Sequence, residues 1–341
     1  MIQKDNQIQV AIVGAGPIGI ELAVALQQAE IDYRIFEAHQ IGYTFTWWPR
    51  ETTFFSSPER IAIAGFPLQT TDQRHVTGEE YLAYLREVIL QTDVQIQTYE
   101  PVQAIEKRND HFILHTLAKD GPKTYPARFV ILATGGMSAP RRLDIPGEDL
   151  PHVTHYFDDP HAYFQRRLLV VGGMNSALET ALRCWRAGAQ VSLSYRRPDF
   201  RRDRVKPTLL MDIDNAIREG HIQFLPCTQP VEITPTDVCL ANLSRNGQLT
   251  GQTQLFRADF VALCTGYVAD MHLFESIGVS LAGAEQVPHH DPTTMETNIP
   301  GLFVAGTAAA GTQTRFRRFI ETSHVHVQRI LDTLESRLEA G

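Results

Sequence analysis

The stretch IQVAIVGAGPIGIELAVALQQAEIDYRIFE, residues 8 to 37, decides the fold. Its apolar run from Ile8 to Val13 reads as a buried strand, the apolar-periodic segment from Pro17 to about Ala29 as a helix, and Tyr33 to Glu37 as a second strand. Between the first strand and the helix stands Gly14-Ala15-Gly16-Pro17-Ile18-Gly19. In such a GxGxxG turn the first glycine makes the bend, the second admits a pyrophosphate to the backbone, and the third lets helix pack on strand. Glu37 ends the second strand 23 residues after Gly14, where its carboxylate would accept hydrogen bonds from ribose hydroxyls and repel a 2′-phosphate. The pattern describes a dinucleotide site suited to FAD or NAD. The flanking strands and the acid at this distance favour it over a purely structural glycine turn.

The same grammar recurs 158 residues later. Leu168 to Val171 reads as a strand, Gly172-Gly173-Met174-Asn175-Ser176-Ala177 as the turn, a helix runs to about Ala187, and Val191 to Tyr195 is the second strand. This strand runs into Arg196 and Arg197, so the position that is acidic in the first unit is basic in the second, and a guanidinium pairs with a 2′-phosphate. A solvated basic turn over RRPDFRRDRVK is the plainer alternative. Met174 stands where the second glycine belongs, and its side chain would crowd a pyrophosphate. A further echo, FVILATG at 129–135 and FVALCTG at 260–266, closes each unit. Alternating strands precede each, His111 to Leu117 with Thr124 to Arg128, and Glu232 to Phe256, as small β-meanders. Asn298 to Gly306 reads as a final strand, followed by a helix from about Arg317 to the C-terminus. The expected fold is α/β, with two Rossmann-like (ββα-type) FAD- and NAD(P)-binding domains, the second inserted in the first. Residues 1–150 with 285–341 form the FAD domain and 151–284 the NAD(P)H domain.

Length and composition agree with this division. A chain of 341 residues accommodates two domains. With 43% hydrophobic and 21% charged residues it is globular, which excludes disorder, collagen and coiled coil. The net charge of −8 opposes a polyanionic partner, so nucleic acid is not expected. No apolar run is long enough to span a membrane, and the start MIQKDNQIQV lacks a signal core, so a cytoplasmic protein is expected. Cys184, Cys227, Cys239 and Cys264 make no CxxC and no zinc-type spacing, which implies no metal and a reducing compartment. A hairpin turn near Pro235 and Thr236 sets Cys239 roughly opposite Ile233 and leaves Cys227 ~20 Å along the strand, beyond disulfide reach.

With these motifs in place, the sequence resembles the two-dinucleotide-binding-domain flavoproteins related to thioredoxin reductase, over essentially the whole chain. Within that group it is most similar to the bacillithiol-disulfide reductase type, through TFFSSPE at 53–59, VTHY at 153–156, GGMNSA at 172–177, TGY at 265–267 and METNIPG at 295–301. The resemblance implies FAD in the first domain and NADPH in the second, with hydride passing from nicotinamide to flavin. It implies flavin contacts at Gly14, Gly16, Pro17, Ile18, Gly19, Glu37, Thr134, Gly135 and Gly306, the last bringing the final helix's N-terminus toward the ring. For NADPH it implies Gly172, Gly173, Asn175, Ser176, Arg196 and Arg197, and it implies a homo-oligomer. Three departures stand out. The CxxC of thioredoxin reductases is missing, Ile18 occupies the place of the bacillithiol type's single cysteine, and Thr307 replaces the aspartate that usually follows the last glycine.

Catalytic candidates are His155 and Tyr156 after the interdomain crossing, and His326. Trp47, Trp48, Phe54 and Phe55 are candidates for a substrate wall, with core packing as the alternative. The run Arg315, Arg317 and Arg318, with His324 and His326 behind it, is a candidate for holding a carboxylate or an acidic carrier protein. The function expected is an NADPH-dependent FAD oxidoreductase passing electrons through the flavin to a small-molecule or small redox-protein acceptor without a protein dithiol. A flavin monooxygenase ranks lower, because IPGEDLPHVTHYF does not match that family's linker in register. A ferredoxin-type reductase and a nucleotide-binding redox sensor with little turnover are the remaining alternatives.

Overall fold

The computed structural model describes residues 7–314 and 318–339. The chain divides into two compact units, residues 1–139 with 267–341 and residues 140–266.

In the first unit β1 (Ile8–Val13) leads through the glycine turn into α1 (Pro17–Gln28) and back to β2 (Tyr33–Phe36). Then follow α2 (Tyr43–Thr46), α3 (Pro58–Ile61), α4 (Gly78–Thr92), β3 (Ile96–Gln97), β4 (Val102–Arg108), β5 (His111–Ala118) and β6 (Gly121–Leu132). Pro17 sets the first helical φ of α1, and a Thr77/Glu80 capping box starts α4. The sheet order is β3-β2-β1-β6-β5-β4. β1 is central and almost wholly buried, as its unbroken apolar run requires when helices cover both faces. β6 differs from the expectation of two separate strands. It is one 12-residue strand, antiparallel to β5 through its alternating half and parallel to β1 through its continuous apolar half.

Short β7 (Ala139–Pro140) marks the first crossing. The second unit contains β8 (Val153–Thr154), β9 (Arg167–Val171), α5 (Asn175–Arg186), β10 (Gln190–Tyr195), α6 (Pro207–Arg218) and β11 (Ile222–Pro226). It continues with β12 (Thr228–Ile233), β13 (Asp237–Leu243), β14 (Leu249–Arg257) and β15 (Phe260–Leu263). A parallel sheet ordered β11-β10-β9-β15-β8 is accompanied by the antiparallel trio β12-β13-β14. A bulge between Pro230 and Glu232 places Cys239 opposite Glu232, one residue from the expected register, and all four cysteines are free thiols.

The chain returns to the first unit as β16 (Tyr267–Val268), α7 (His272–Ser276), β17 (Leu281–Ala282), β18 (Val287–Pro288), β19 (Leu302–Val304) and α8 (His324–Glu339). The second unit is therefore 140–266 and not 151–284. Met271, Phe274 and Val279 are buried in the first unit's core, while Leu143, Ile145 and Leu150 pack on the second's. The last strand is three residues long, parallel to β6, because Pro300 and Gly301 turn the chain just before it. α8 starts at His324, later than the expected Arg317. Phe319 is extended, its N–H donates to Thr322 Oγ1, and Ser323 Oγ donates to its carbonyl, so the polar side chains close a separate 3-10 turn first. Arg315 and Arg317 lie outside the described residues. Among the described residues no helix is long and apolar enough to cross a membrane.

The approach of α1 to β1 is tight at Gly19, where a Cβ would stand 2.0 Å from the Gly14 carbonyl oxygen. Gly19→Ala is expected to push the helix off the sheet and cost about 1–3 kcal/mol in urea unfolding, as other overpacked cores do. An unchanged midpoint would show that the turn can relax.

Candidate cofactor sites

In the first unit the GxGxxG turn is built as its residue types require. Gly14 has φ +106°, and α1 begins with no side chain capping it. A Cβ on Gly16 would meet open space, so the backbone is approachable there. Glu37 accepts the Ala15 N–H at 2.8 Å and the His39 N–H at 2.9 Å, one on each carboxylate oxygen, and each oxygen keeps capacity for a further donor. Thr134 Oγ1 is buried without a hydrogen-bond partner beside Gly135, whose φ is +80°. Ile18, 5% exposed, faces Gly306: a Cβ on Gly306 would lie 3.5 Å from that of Ile18.

Gly306, expected to bring the final helix's N-terminus toward the ring, opens a 3-10 turn through Ala310. Its N–H donates to His326 Nδ1 at 3.1 Å. His326 is fully buried, and its Nε2 has no hydrogen-bond partner. Burial lowers its pKa to about 4, with Arg318, His290 and Arg329 adding to the shift. A nitrogen that accepts an N–H cannot also carry a proton, so the ring is neutral with its hydrogen on Nε2. His326 thus holds a backbone turn in place and is not a proton donor to solvent-borne substrate. The neighbouring His324 bridges α1 and α3, through Glu21 and the Arg60 carbonyl.

The aromatic segment splits. Trp48 and Phe54 pack edge-on or tilted among Phe45 and Tyr81 as core, whereas Phe55 is 57% exposed. Trp47 packs on Tyr267, with ring centroids 4.6 Å apart. Of these Phe55 lines a cleft of about 310 Å³, with Ser57, Arg60, His75, Phe319 and Glu321.

In the second unit Gly173 is dictated by a neighbour that the sequence did not reveal. A Cβ there would stand 2.5 Å from the Tyr195 ring, which is buried at the end of β10 and stacks on Phe200. Met174 is 37% exposed as the N-cap of α5. Asn175 departs from the expected cofactor contact. Its Oδ1 accepts the Lys206 N–H at 2.9 Å and its Nδ2 reaches the Arg204 carbonyl, so the side chain anchors the loop before α6. Ser176 is exposed in the first turn of α5. The basic run also splits: Arg201, Arg202 and Arg204 pair with Asp203 and Asp214, while Arg196 and Arg197 are exposed with no salt bridge among the described residues.

His155 is held inside this unit, its Nε2 3.4 Å from the buried carboxylate of Glu148 and neither ring nitrogen hydrogen-bonded. Burial lowers its pKa, which gives it a packing role as a neutral ring and not the proposed proton supply. Tyr156 is exposed beside it on a turn closed by Thr154.

The model of the pyridine nucleotide-disulphide oxidoreductase family matches residues 11–306. The bacilliredoxin reductase Bdr of Bacillus subtilis (strain 168) is 32% identical over 94% of this chain and 95% of its own. The chain belongs to the pyridine nucleotide-disulphide oxidoreductase family. The bacillithiol disulfide reductase Bdr (YpdA) structure from Bacillus cereus superposes with a TM-score of 0.90 at 32% identity, covering 97% of this chain and 99% of that one. A ferredoxin–NADP reductase of Ignicoccus hospitalis (strain KIN4/I / DSM 18386 / JCM 14125) is 29% identical over 86% of this chain and 88% of its own. As a member of this family the protein is a flavoprotein oxidoreductase with FAD and NADPH as cofactors, and its fold is the two-Rossmann-domain arrangement the motifs imply.

His326 gives this oxidoreductase an acid sensitivity with a defined sign. Its folded pKa of about 4 lies below the ordinary 6.5, so the unfolded chain binds the extra proton first. Its contribution to stability is intact above pH 6.5 and is lost as the pH falls toward 4, by about 3 kcal/mol in all. Urea unfolding of wild type and His326→Gln across that range is expected to show a shallower acid decline in the variant. Parallel declines would place the titration elsewhere.

Proposed function

We propose that the protein is an NADPH-dependent FAD oxidoreductase that delivers electrons from the flavin directly to an external acceptor, a small molecule or a small redox protein, with no cysteine of its own in the path. FAD, when bound, supplies the ring that accepts hydride from NADPH and passes electrons on. In this reading the first unit takes FAD. Gly14, Gly16, Pro17, Ile18 and Gly19 bring the backbone to the pyrophosphate, Glu37 accepts from ribose, and Thr134, Gly135 and Gly306 border the ring. The residues fit the cofactor on two counts: the space beside Gly16 is open, and Thr134 carries a buried hydroxyl with no protein partner. The second unit takes NADPH at Gly172, Gly173 and Ser176, with Asn175 acting indirectly by fixing the Arg204–Lys206 loop.

Ile18 carries the proposal. A thiol at this first turn of α1 would be stabilised as a thiolate by the helix N-terminus and would attack a disulfide. Ile18 instead packs on Gly306, and all four cysteines lie in the second unit. Burial pushes the thiols of Cys184 and Cys264 up to about 12 and about 11, so neither is a ready nucleophile. NADPH is expected to bleach the yellow flavin rapidly under anaerobic mixing, yet turnover of bacillithiol disulfide by wild type should be absent or very slow. Ile18→Cys is expected to gain some. Robust wild-type turnover would show that the flavin reduces the disulfide unaided, and a protein that cannot be reconstituted with FAD would end the proposal.

The choice of NADPH over NADH is assigned to Arg196 and Arg197, the two arginines of the run without acids among the described residues. Charge-assisted hydrogen bonds to a 2′-phosphate contribute roughly ten- to a hundredfold in affinity. Arg196→Ala with Arg197→Ala should erase most of that preference in stopped-flow reduction and leave the NADH rate nearly untouched. Equal rates with both nucleotides in wild type would return these arginines to the solvated surface.

A further inference from the structure

His324 opens α8 with both ring nitrogens committed to acceptors. Nδ1 lies 2.8 Å from Oε2 of Glu21 on α1, and Nε2 lies 3.0 Å from the backbone carbonyl of Arg60 on α3. A neutral imidazole has one N–H and one lone pair, so it satisfies only one of the two and sets a lone pair against the other oxygen. The imidazolium donates to both. The groups facing it agree. Glu21, 14% exposed at its side chain, comes from α1 and Glu321 from the 3-10 turn ahead of α8. Arg60 keeps its own guanidinium 66% exposed and 3.4 Å from Glu321. On the α4 side the Glu21 charge acts on Tyr81 and Tyr84, both neutral and raised by burial first. The Glu21 hydrogen bond raises His324 above the ordinary value, against the opposing effect of burial. Two residues on, His326 accepts from Gly306 and is neutral, so the first turn of α8 grips α1 with one histidine and the 306 turn with the other.

We infer that His324 is a positioning residue: as an imidazolium it clips α1 to α3 and to the start of α8, and loss of that proton loosens α1 and with it the hold on FAD. The consequence for FAD rests on the reading of α1 as the flavin-binding helix; the clip itself does not. The sign follows from linkage. Because the folded value lies above the unfolded one, the clip contributes fully below pH 6.5 and is lost as pH rises through the folded value.

Two measurements on the holoenzyme test it. In ¹⁵N-histidine-labelled protein followed from about pH 5.5 to about pH 9, the resonance missing from His324→Gln should show imidazolium shifts at neutrality and titrate above the usual histidine range. Release of FAD, read from flavin fluorescence after dilution, should quicken about tenfold across that titration in wild type and be fast and flat in His324→Gln. A neutral ring at pH 7, or a variant that keeps the wild-type pH profile, overturns the inference. A protein that retains no FAD overturns the reading of α1 while the resonance still decides the clip. Should His324→Gln fail to fold, Glu21→Gln serves: the His324 midpoint should drop toward its ordinary value, and an unmoved midpoint overturns the clip.

Discussion

The contact between the third glycine of the N-terminal turn and the carbonyl of the first fixes how closely α1 lies on β1, and the rest of the first unit is arranged around it. At that distance no side chain fits, so the helix start is presented bare, with Gly16 open to one side and Ile18 directed inward onto Gly306. Glu37 then ties the turn to the end of β2 through the Ala15 amide, and Ala133 N–H donates to the Val13 carbonyl, which brings the Thr134–Gly135 loop to the same edge. Four chain segments far apart in sequence are thereby held within one rim. None of them closes the rim alone, which is why the segment after β19 returns across it.

That return is where charge does what packing does elsewhere. Val327, Ile330 and Leu334 seat α8 in the core, and Arg337 makes a bidentate pair with Glu296 near its far end. The near end relies on two imidazoles with opposite demands. One accepts an amide proton and resists protonation; the other spans two acceptors and requires it. Both conditions are met together only between their two titrations, so the first turn of α8 is best held in that window and slackens on either side for different reasons.

Much of this was legible in the sequence. The two strand-turn-helix-strand units, their glycine patterns and the echo at 129–135 and 260–266 depend on local periodicity and on residue types whose backbone needs are specific, and these elements fall within a residue or two of their reading. What could not be read depends on long-range partners. β6 merges a meander arm with a core strand because its two halves face different neighbours. The Tyr195 ring explains Gly173, the Arg204–Lys206 loop claims Asn175, and Glu148 claims His155, in each case through residues 7 to 31 positions away. Polar residues that look chemical in sequence are here often the ones that hold loops. The domain limits slipped for the same reason, since burial and not motif decides on which side Phe274 or Leu150 falls.

The second unit shows how a basic run is sorted by its acids. RRPDFRRDRVK holds five arginines and two aspartates, and an even distribution would make it an ordinary solvated surface. The distribution is uneven. Asp203 and Asp214 neutralise the arginines from 201 onward, whereas β10 delivers Arg196 and Arg197 to the carboxyl end of the parallel sheet without acidic partners among the described residues. A guanidinium pairs with a dianionic phosphate, and the carboxyl end of a parallel strand is where open α/β sheets take their nucleotides. Glu37 occupies the matching place in the first unit with the opposite charge and with its oxygens already oriented by backbone amides. In the proposed reading one strand end excludes a 2′-phosphate and the other invites it, and this difference in charge, on two copies of one fold, is what would keep two dinucleotides in separate places on a single chain.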